Sequence, residues 1–212
     1  MTINYYNLNK ILNDINNYKS SRLLIVTKKQ NSNDIKELIS RGFRVFGENR
    51  VQEAKEKYNK ITDRDKIDLH LIGPLQTNKV KDALKLFNTI QSIDREKLVN
   101  EISKVSANLY DIKTKSYFLQ VNIGAESQKT GIDKSQCYEF YNYVLEKKLN
   151  VVGLMCIPPN LKNVSEFFIE MNEIRKKINP NLKLSMGMSN DYLDALNYNS
   201  NLIRIGSLIF ND

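Results

Sequence analysis

Leu23-Leu24-Ile25-Val26-Thr27-Lys28 decides how the rest of the chain is read. Four apolar residues run without alternation and stop at a polar pair. A strand with one wet face alternates, so an unbroken run marks a strand covered on both faces, as in parallel sheets. Upstream, Leu8, Ile11, Leu12, Ile15 and Tyr18 recur at three- and four-residue spacing and predict a helix over residues 3–18. Downstream, Ile35, Leu38 and Ile39 share a helix face, and Gly42 is placed to cap that helix at its C-terminus.

The strand–helix alternation then repeats. Strands are expected at residues 43–46, 69–72, 89–93, 117–121, 151–155, 182–184 and 202–205. The helices between them carry Val51, Ala54 and Tyr58, then Val80, Leu84 and Phe87, then Leu98, Ile102 and Val105 behind an Asp94 N-cap. Later helices centre on Phe140, on Phe167, Met171, Ile174 and Ile178 before Pro180, and on residues 192–196. Alternating strands and helices make parallel βαβ units, and eight of them close a barrel. The fold class is therefore α/β, a single (β/α)8 barrel of the TIM type. The rival is an open doubly wound sheet, but no G-x-G-x-x-G turn supports it. The chain stops soon after strand eight, so helix 3–18 is expected to cover the wall there. No repeat, linker or charge block divides the chain, and residues 1–212 are expected to form one domain.

Composition narrows the function classes. At 212 residues the chain is long enough for one sizeable core. No apolar run approaches the ~20 residues that cross a bilayer, and no secretory leader opens the chain, so a cytoplasmic location is expected. A single histidine rules out multi-histidine metal sites. Cys137 and Cys156 form no C-x-x-C and read as small buried thiols. The net charge of +8 invites a nucleic-acid reading, but the lysines are scattered and form no dense stripe. Nucleic acid is not the expected partner, and no membrane partner is expected.

Active sites of parallel barrels lie at the C-terminal ends of the strands. Strand one ends there at Lys28, strand two at Gly47-Glu48-Asn49, and strand three at Gly73-Pro74. Strand seven leads into Ser185-Met186-Gly187-Met188-Ser189, and strand eight into Arg204-Ile205-Gly206-Ser207. Loops after strands seven and eight often build barrel phosphate sites. Glycine lets the backbone approach phosphate, and serine adds a donor. Ordinary turn and cap chemistry would leave the same residues, and Ser189-Asn190-Asp191 also suits a helix start. A lysine at the mouth can face solvent, an anion or an aldehyde, since lysine amines form imines with carbonyl cofactors. A phosphate cup facing such a lysine is what pyridoxal phosphate (PLP) requires.

Several strings taken together resemble one family. They are Leu23 to Lys28, Phe46-Gly47-Glu48-Asn49-Arg50-Val51-Gln52-Glu53 and His70-Leu71-Ile72-Gly73-Pro74-Leu75-Gln76-Thr77-Asn78-Lys79. Further along come Leu119-Gln120-Val121-Asn122, Lys129-Thr130-Gly131, Gly153-Leu154-Met155, Leu184 to Ser189 and Arg204 to Ser207. In this order they resemble the pyridoxal phosphate homeostasis proteins. The resemblance implies a barrel like the N-terminal domain of alanine racemase, without its β domain. It implies PLP held as a Schiff base on Lys28, with Ser189, Gly206 and Ser207 on the phosphate. It also implies Asn49 beside the ring and Arg204 near the pyridine nitrogen. Such proteins are regarded as vitamin B6 carriers or regulators without a robust reaction of their own.

The chain departs from the family pattern at three places. Gln30 stands where a second lysine is common, Asn31 replaces a common proline, and Asn190 replaces a common aspartate. Gln30 puts any role of that second lysine in cofactor exchange in doubt. Lys129 is placed either to line the mouth or to sit solvated in a loop, and His70, near the end of strand three, reads as a structural histidine. A fixed cation at Arg204 would disfavour a proton on the ring nitrogen and weaken the electron sink. Racemisation also needs a second base, and none of the 11 tyrosines falls at a strand end. A PLP carrier or regulator with slow or absent turnover is expected. The alternative is a small PLP-dependent amino-acid racemase. Amino acids and PLP-dependent apo-enzymes are the further partners to expect, with a monomer favoured over a dimer.

Overall fold

The apolar run forms a strand, β1 (Arg22–Val26), whose alternate side chains enter two separate cores. Leu24 and Val26 meet Leu202, Val45 and Ile72 in a small inner cluster, whereas Ile25 joins the large core between strands and helices. This double burial explains why the run shows no alternation. The computed structural model describes residues 2–211. Seven more strands follow: β2 (Val45–Glu48), β3 (Asp68–Leu71), β4 (Thr89–Ile93), β5 (Ser116–Asn122), β6 (Val151–Cys156), β7 (Lys183–Ser185) and β8 (Leu202–Ile205). Each pairs in parallel with the next, and β8 returns to β1 in register from Leu202↔Arg22 to Ile205↔Ile25. The sheet is closed, so the open doubly wound alternative is excluded. The β7–β8 seam has one register pair, Leu202↔Ser185, and is lengthened by Asn201 N–H donating to Leu184 O and Arg204 N–H to Gly187 O.

Helices α1 (Tyr5–Asn16), α2 (Ser32–Ser40), α3 (Val51–Tyr58), α4 (Val80–Leu86), α5 (Glu96–Ser106), α6 (Cys137–Glu146), α7 (Ser165–Ile178) and α8 (Tyr192–Asn197) complete the fold. Gly42 ends α2 as expected. It takes φ +97°, its N–H donates to Ile39 O, and the Phe43 N–H donates to Leu38 O. Asn31 accepts hydrogen bonds from the Asn33 and Asp34 amides, so it caps α2 where the family often has proline. Asp94 does not cap α5. Arg95 holds that position, and the largely buried Asp94 carboxylate is drawn into a pair with the Arg95 guanidinium. In α7 the deepest apolar residues are Phe168 and Met171, one position off the expected stripe at Phe167. Cys137 and Cys156 are both free and buried, and burial pushes each thiol up to about 12.

Helix α1 covers the wall beside β8. Leu8, Ile11 and Ile15 are its buried face, and Tyr192 of α8 donates its hydroxyl to Asp14. A two-residue antiparallel ribbon fixes its entry, with Thr2↔Asn211 and Ile3↔Phe210 paired. The Asn4 amide then donates to Ile209 O, and Asn7 Nδ2 donates to Leu208 O.

Candidate functional site at the barrel mouth

A cavity of about 560 Å³ opens at the C-terminal ends of the strands. Lys28, Asn49, Ser189, Arg204, Gly206 and Ser207 all line it, with Val26, Ile72 and Met188 among the apolar contributors. The residues flagged from sequence thus converge from β1, β2, β7 and β8 on one space.

Lys28 is exposed on a tight turn in which the Gln30 N–H donates to Thr27 O and Lys29 takes a left-handed φ of 63°. The residues on either side of Lys28 are fastened from below. Thr27 is fully buried, and its hydroxyl donates to Glu48 Oε1 at 2.7 Å. Lys57 Nζ donates to Thr27 O at 2.6 Å and lies 2.6 Å from Glu48 Oε1 and 2.9 Å from Glu53 Oε1. The Lys29 N–H donates to the same Glu53 oxygen, which holds the left-handed residue in place. The Thr27 proton is committed to Glu48, so the Tyr58 hydroxyl, 3.0 Å away, donates to Thr27 Oγ1. Burial pushes the Glu48 carboxyl up, against the pull of Lys57 and Thr27. At Glu53 burial also pushes upward, but the hydrogen bonds from Lys57 and the Lys29 amide outweigh it and leave the carboxyl low. Sequence reading did not find this bracket, because Glu48 reads only as part of a strand end and nothing local pairs it with Glu53 or Lys57.

The opposite wall is built from turns. Ser207 Oγ donates to Ser189 Oγ at 2.9 Å, which brings the loops after β7 and β8 together. Both the Ile209 and Phe210 amides donate to Gly206 O, which forms a tight turn after β8. Before Ser189, Gly187 takes φ +94°, and an added Cβ would lie 2.6 Å from the Ala195 Cβ. Asp191 stands at the start of α8, but its carboxylate accepts from the Met188 amide upstream. Burial raises that carboxyl, with the Met188 amide opposing.

Arg204 is 4% exposed at the cavity floor. Its Nη1 donates to Ser185 O at 2.6 Å and Ser185 Oγ at 2.9 Å, and its Nη2 to Cys156 O at 2.7 Å. Burial pulls its pKa below the usual guanidinium value, yet a guanidinium held by three acceptors stays charged. Lys129 lines the cavity rather than open solvent, paired with Glu126 and donating to Pro158 O. Gln30 is buried at 8% exposure and does not line the cavity, so it leaves no cation at the mouth in place of the missing lysine. His70 lies near the end of β3 but faces the other end of the barrel. There a second cavity of about 270 Å³ is lined by His70, Asp68, Arg22 and Thr89.

A lysine, a serine–glycine turn pair and a buried arginine lining one cavity match the donor set that PLP needs. Among the described residues no cluster of histidine, cysteine or acidic groups could hold a metal, and no helix is long and apolar enough to cross a membrane. Fold and site define the class, a barrel of the alanine racemase N-terminal domain type, and the model of that family matches residues 4–212. The pyridoxal phosphate homeostasis protein of Aquifex aeolicus is 36% identical over 91% of this chain and 87% of its own length. The namesake from Buchnera aphidicola is also 36% identical, over 92% and 89%. PipY of Synechococcus elongatus, solved without and with PLP, superposes with TM-scores of 0.87 and 0.83 at 28% and 29% identity. Each match covers 97% of this chain and 99% of PipY. An alanine racemase from Clostridium difficile shares the fold at TM-score 0.72 and 16% identity, and this chain spans 56% of it. This chain belongs to the pyridoxal phosphate homeostasis protein family.

Proposed function

We propose that this chain binds pyridoxal 5′-phosphate and acts in vitamin B6 homeostasis, with the cofactor's aldehyde linked to the Lys28 amine. One observation carries the proposal. Lys28, Asn49, Ser189, Arg204, Gly206 and Ser207 leave four different strands and line one cavity. In this proposal one barrel domain, residues 1–212, carries the whole site. The bracket under Lys28 presents its amine to the mouth. Ser189 and Ser207 offer hydroxyls to the phosphate, and Gly206 leaves room for the backbone to approach it. Asn49 lies beside the ring.

When bound, PLP supplies an electron sink for amino-acid chemistry. Arg204 only donates hydrogen bonds, so a ring nitrogen facing it must accept one and go without a proton. That weakens the sink and favours a carrier or regulator over a fast enzyme. Among the described residues no tyrosine lines the mouth to act as a second base, which favours the same reading. A monomer in the cytosol, exchanging PLP with amino acids and apo-enzymes, completes the proposal.

The test is the absorbance spectrum of the purified protein before and after borohydride. A visible band that borohydride removes is expected, with the reduced adduct on the peptide holding Lys28. Lys28→Ala should lack the band, and its persistence there would refute the assignment. Alanine racemisation at about 1 s⁻¹ or faster would overturn the carrier reading in favour of an enzyme.

A further inference from the structure

Behind Arg204 a line of polar side chains crosses the barrel interior. Ser185, on β7, receives Arg204 Nη1 at its Oγ. The Ser185 hydroxyl donates to Gln91 Oε1, on β4, at 2.6 Å. Gln91 Nε2 lies 2.7 Å from His70 Nδ1, on β3. His70 Nε2 lies 3.1 Å from Asp68 Oδ2, at the opposite rim of the barrel. Ser185 and Gln91 are fully buried, and His70 is 5% exposed. A barrel interior filled by branched apolar side chains is the usual arrangement. A polar line in its place carries a desolvation cost, which hydrogen bonds offset from Arg204 as far as His70 Nδ1.

The proton inventory gives the line a direction. Arg204 can only donate, so Ser185 Oγ accepts from it and keeps its own proton for Gln91 Oε1. The Gln91 oxygen is then occupied, and its amide group faces His70 as a donor. His70 Nδ1 must therefore be bare, and its proton sits on Nε2, toward the Asp68 carboxylate. The hydrogen bonds run one way, from the guanidinium at the mouth to His70 Nδ1, and beyond them Nε2 lies close to the Asp68 carboxylate at the base without an aligned hydrogen bond. Reversing the Gln91 amide would require a proton on Nδ1 as well as on Nε2, and hence a buried imidazolium.

We propose that Ser185, Gln91 and His70 are positioning residues that fix the Arg204 guanidinium through this one-way line, so the base of the barrel sets how the mouth holds PLP. The proposal rests on the reading that Arg204 faces the cofactor's ring nitrogen. It places His70 in function without contact to the mouth.

The chain has one histidine, so its imidazole nitrogen resonances are unambiguous. In ¹⁵N-labelled holoprotein at neutral pH, the neutral Nε2–H form is expected. Ser185→Ala and Gln91→Leu should shift those resonances, displace the absorbance maximum of bound PLP, and speed PLP release about tenfold, the scale of one buried hydrogen bond. Ser185→Thr keeps the hydroxyl and should restore both spectra, which a merely structural role would not require. A doubly protonated or Nδ1–H imidazole would overturn the direction of the line. An unchanged PLP spectrum and release rate in Ser185→Ala would overturn the positioning role. If the wild-type protein shows no borohydride-sensitive band at all, the reading of the mouth fails instead.

Discussion

Lys28 stands on a turn fastened by a cluster of buried charged side chains, whereas Ser189 and Ser207 stand on turns fastened mainly by backbone carbonyls and glycine, with the one Asp191 carboxylate holding the Met188 amide. On the lysine wall, Lys57 reaches Thr27 O, Glu48 and Glu53 at once. On the serine wall, Gly206 O takes two amides and Gly187 makes the bend. The two walls face the same cavity but answer to different physics. One depends on ionisation, because removing a partner strands a charge in the core. The other depends on space, because an added methyl group has nowhere to go. A protein that presents an amine on one side and cradles an anion on the other has put its cluster of paired side-chain charges behind the amine. The anion is left to hydroxyls and main chain.

Four measurements can break or sharpen this contrast. Lys57→Met should have the largest effect, since it leaves the fully buried Glu48 without its cation, at a cost of about 3–5 kcal/mol. Urea unfolding reads this directly, and an unchanged midpoint would mean the lysine wall is not braced by charge. Gly187→Ala should cost about 2 kcal/mol through its left-handed φ and the clash with Ala195, and should loosen PLP in step. Ser207→Ala removes one exposed hydroxyl pair, so the unfolding free energy should stay within about 0.5 kcal/mol of wild type. PLP should nevertheless leave this variant a few times faster. The smallest effect concerns acid. Glu53 is held below its ordinary value, so its contribution is complete above the unfolded pKa of ~4.3 and is lost as pH falls through the lower folded value. Glu53→Gln should therefore lower stability slightly at neutral pH, converge with wild type in acid, and so flatten the acid limb of the stability curve. Glu48 is shifted the opposite way, and its contribution fades as pH rises through its raised folded value.

The barrel was legible because double burial leaves a mark that survives in the sequence. Leu23 to Val26 is apolar on both faces, Leu202, Ile203 and Ile205 frame Arg204 in the same way, and the helices between strands keep their 3.6-residue stripes. The mouth was legible because barrel chemistry sits at strand ends, and all six residues named there share the cavity. What stayed hidden depends on side-chain pairings that no periodicity encodes. Nothing local marks Glu48 as buried until Lys57 of α3 folds over it. Gln91 and Ser185 look ordinary, and their pairing spans 94 positions. Asp94 read as a cap until the adjacent Arg95 claimed its carboxylate. The terminal ribbon is too short for any periodicity to reveal it.

That ribbon also has a mechanical consequence. Residues 2 and 211 face each other across an antiparallel pair, so a force drawing them apart loads its bonds one at a time, like a zipper. The parallel β8–β1 ladder spans four register pairs and resists such a pull in shear. Between the two lies the turn from Gly206 to Phe210, which carries Ser207 and is pinned to α1 through Leu208 and Ile209. Tension on this side would slacken the serine wall while the barrel stayed shut, making the ribbon a fuse set beside the cup.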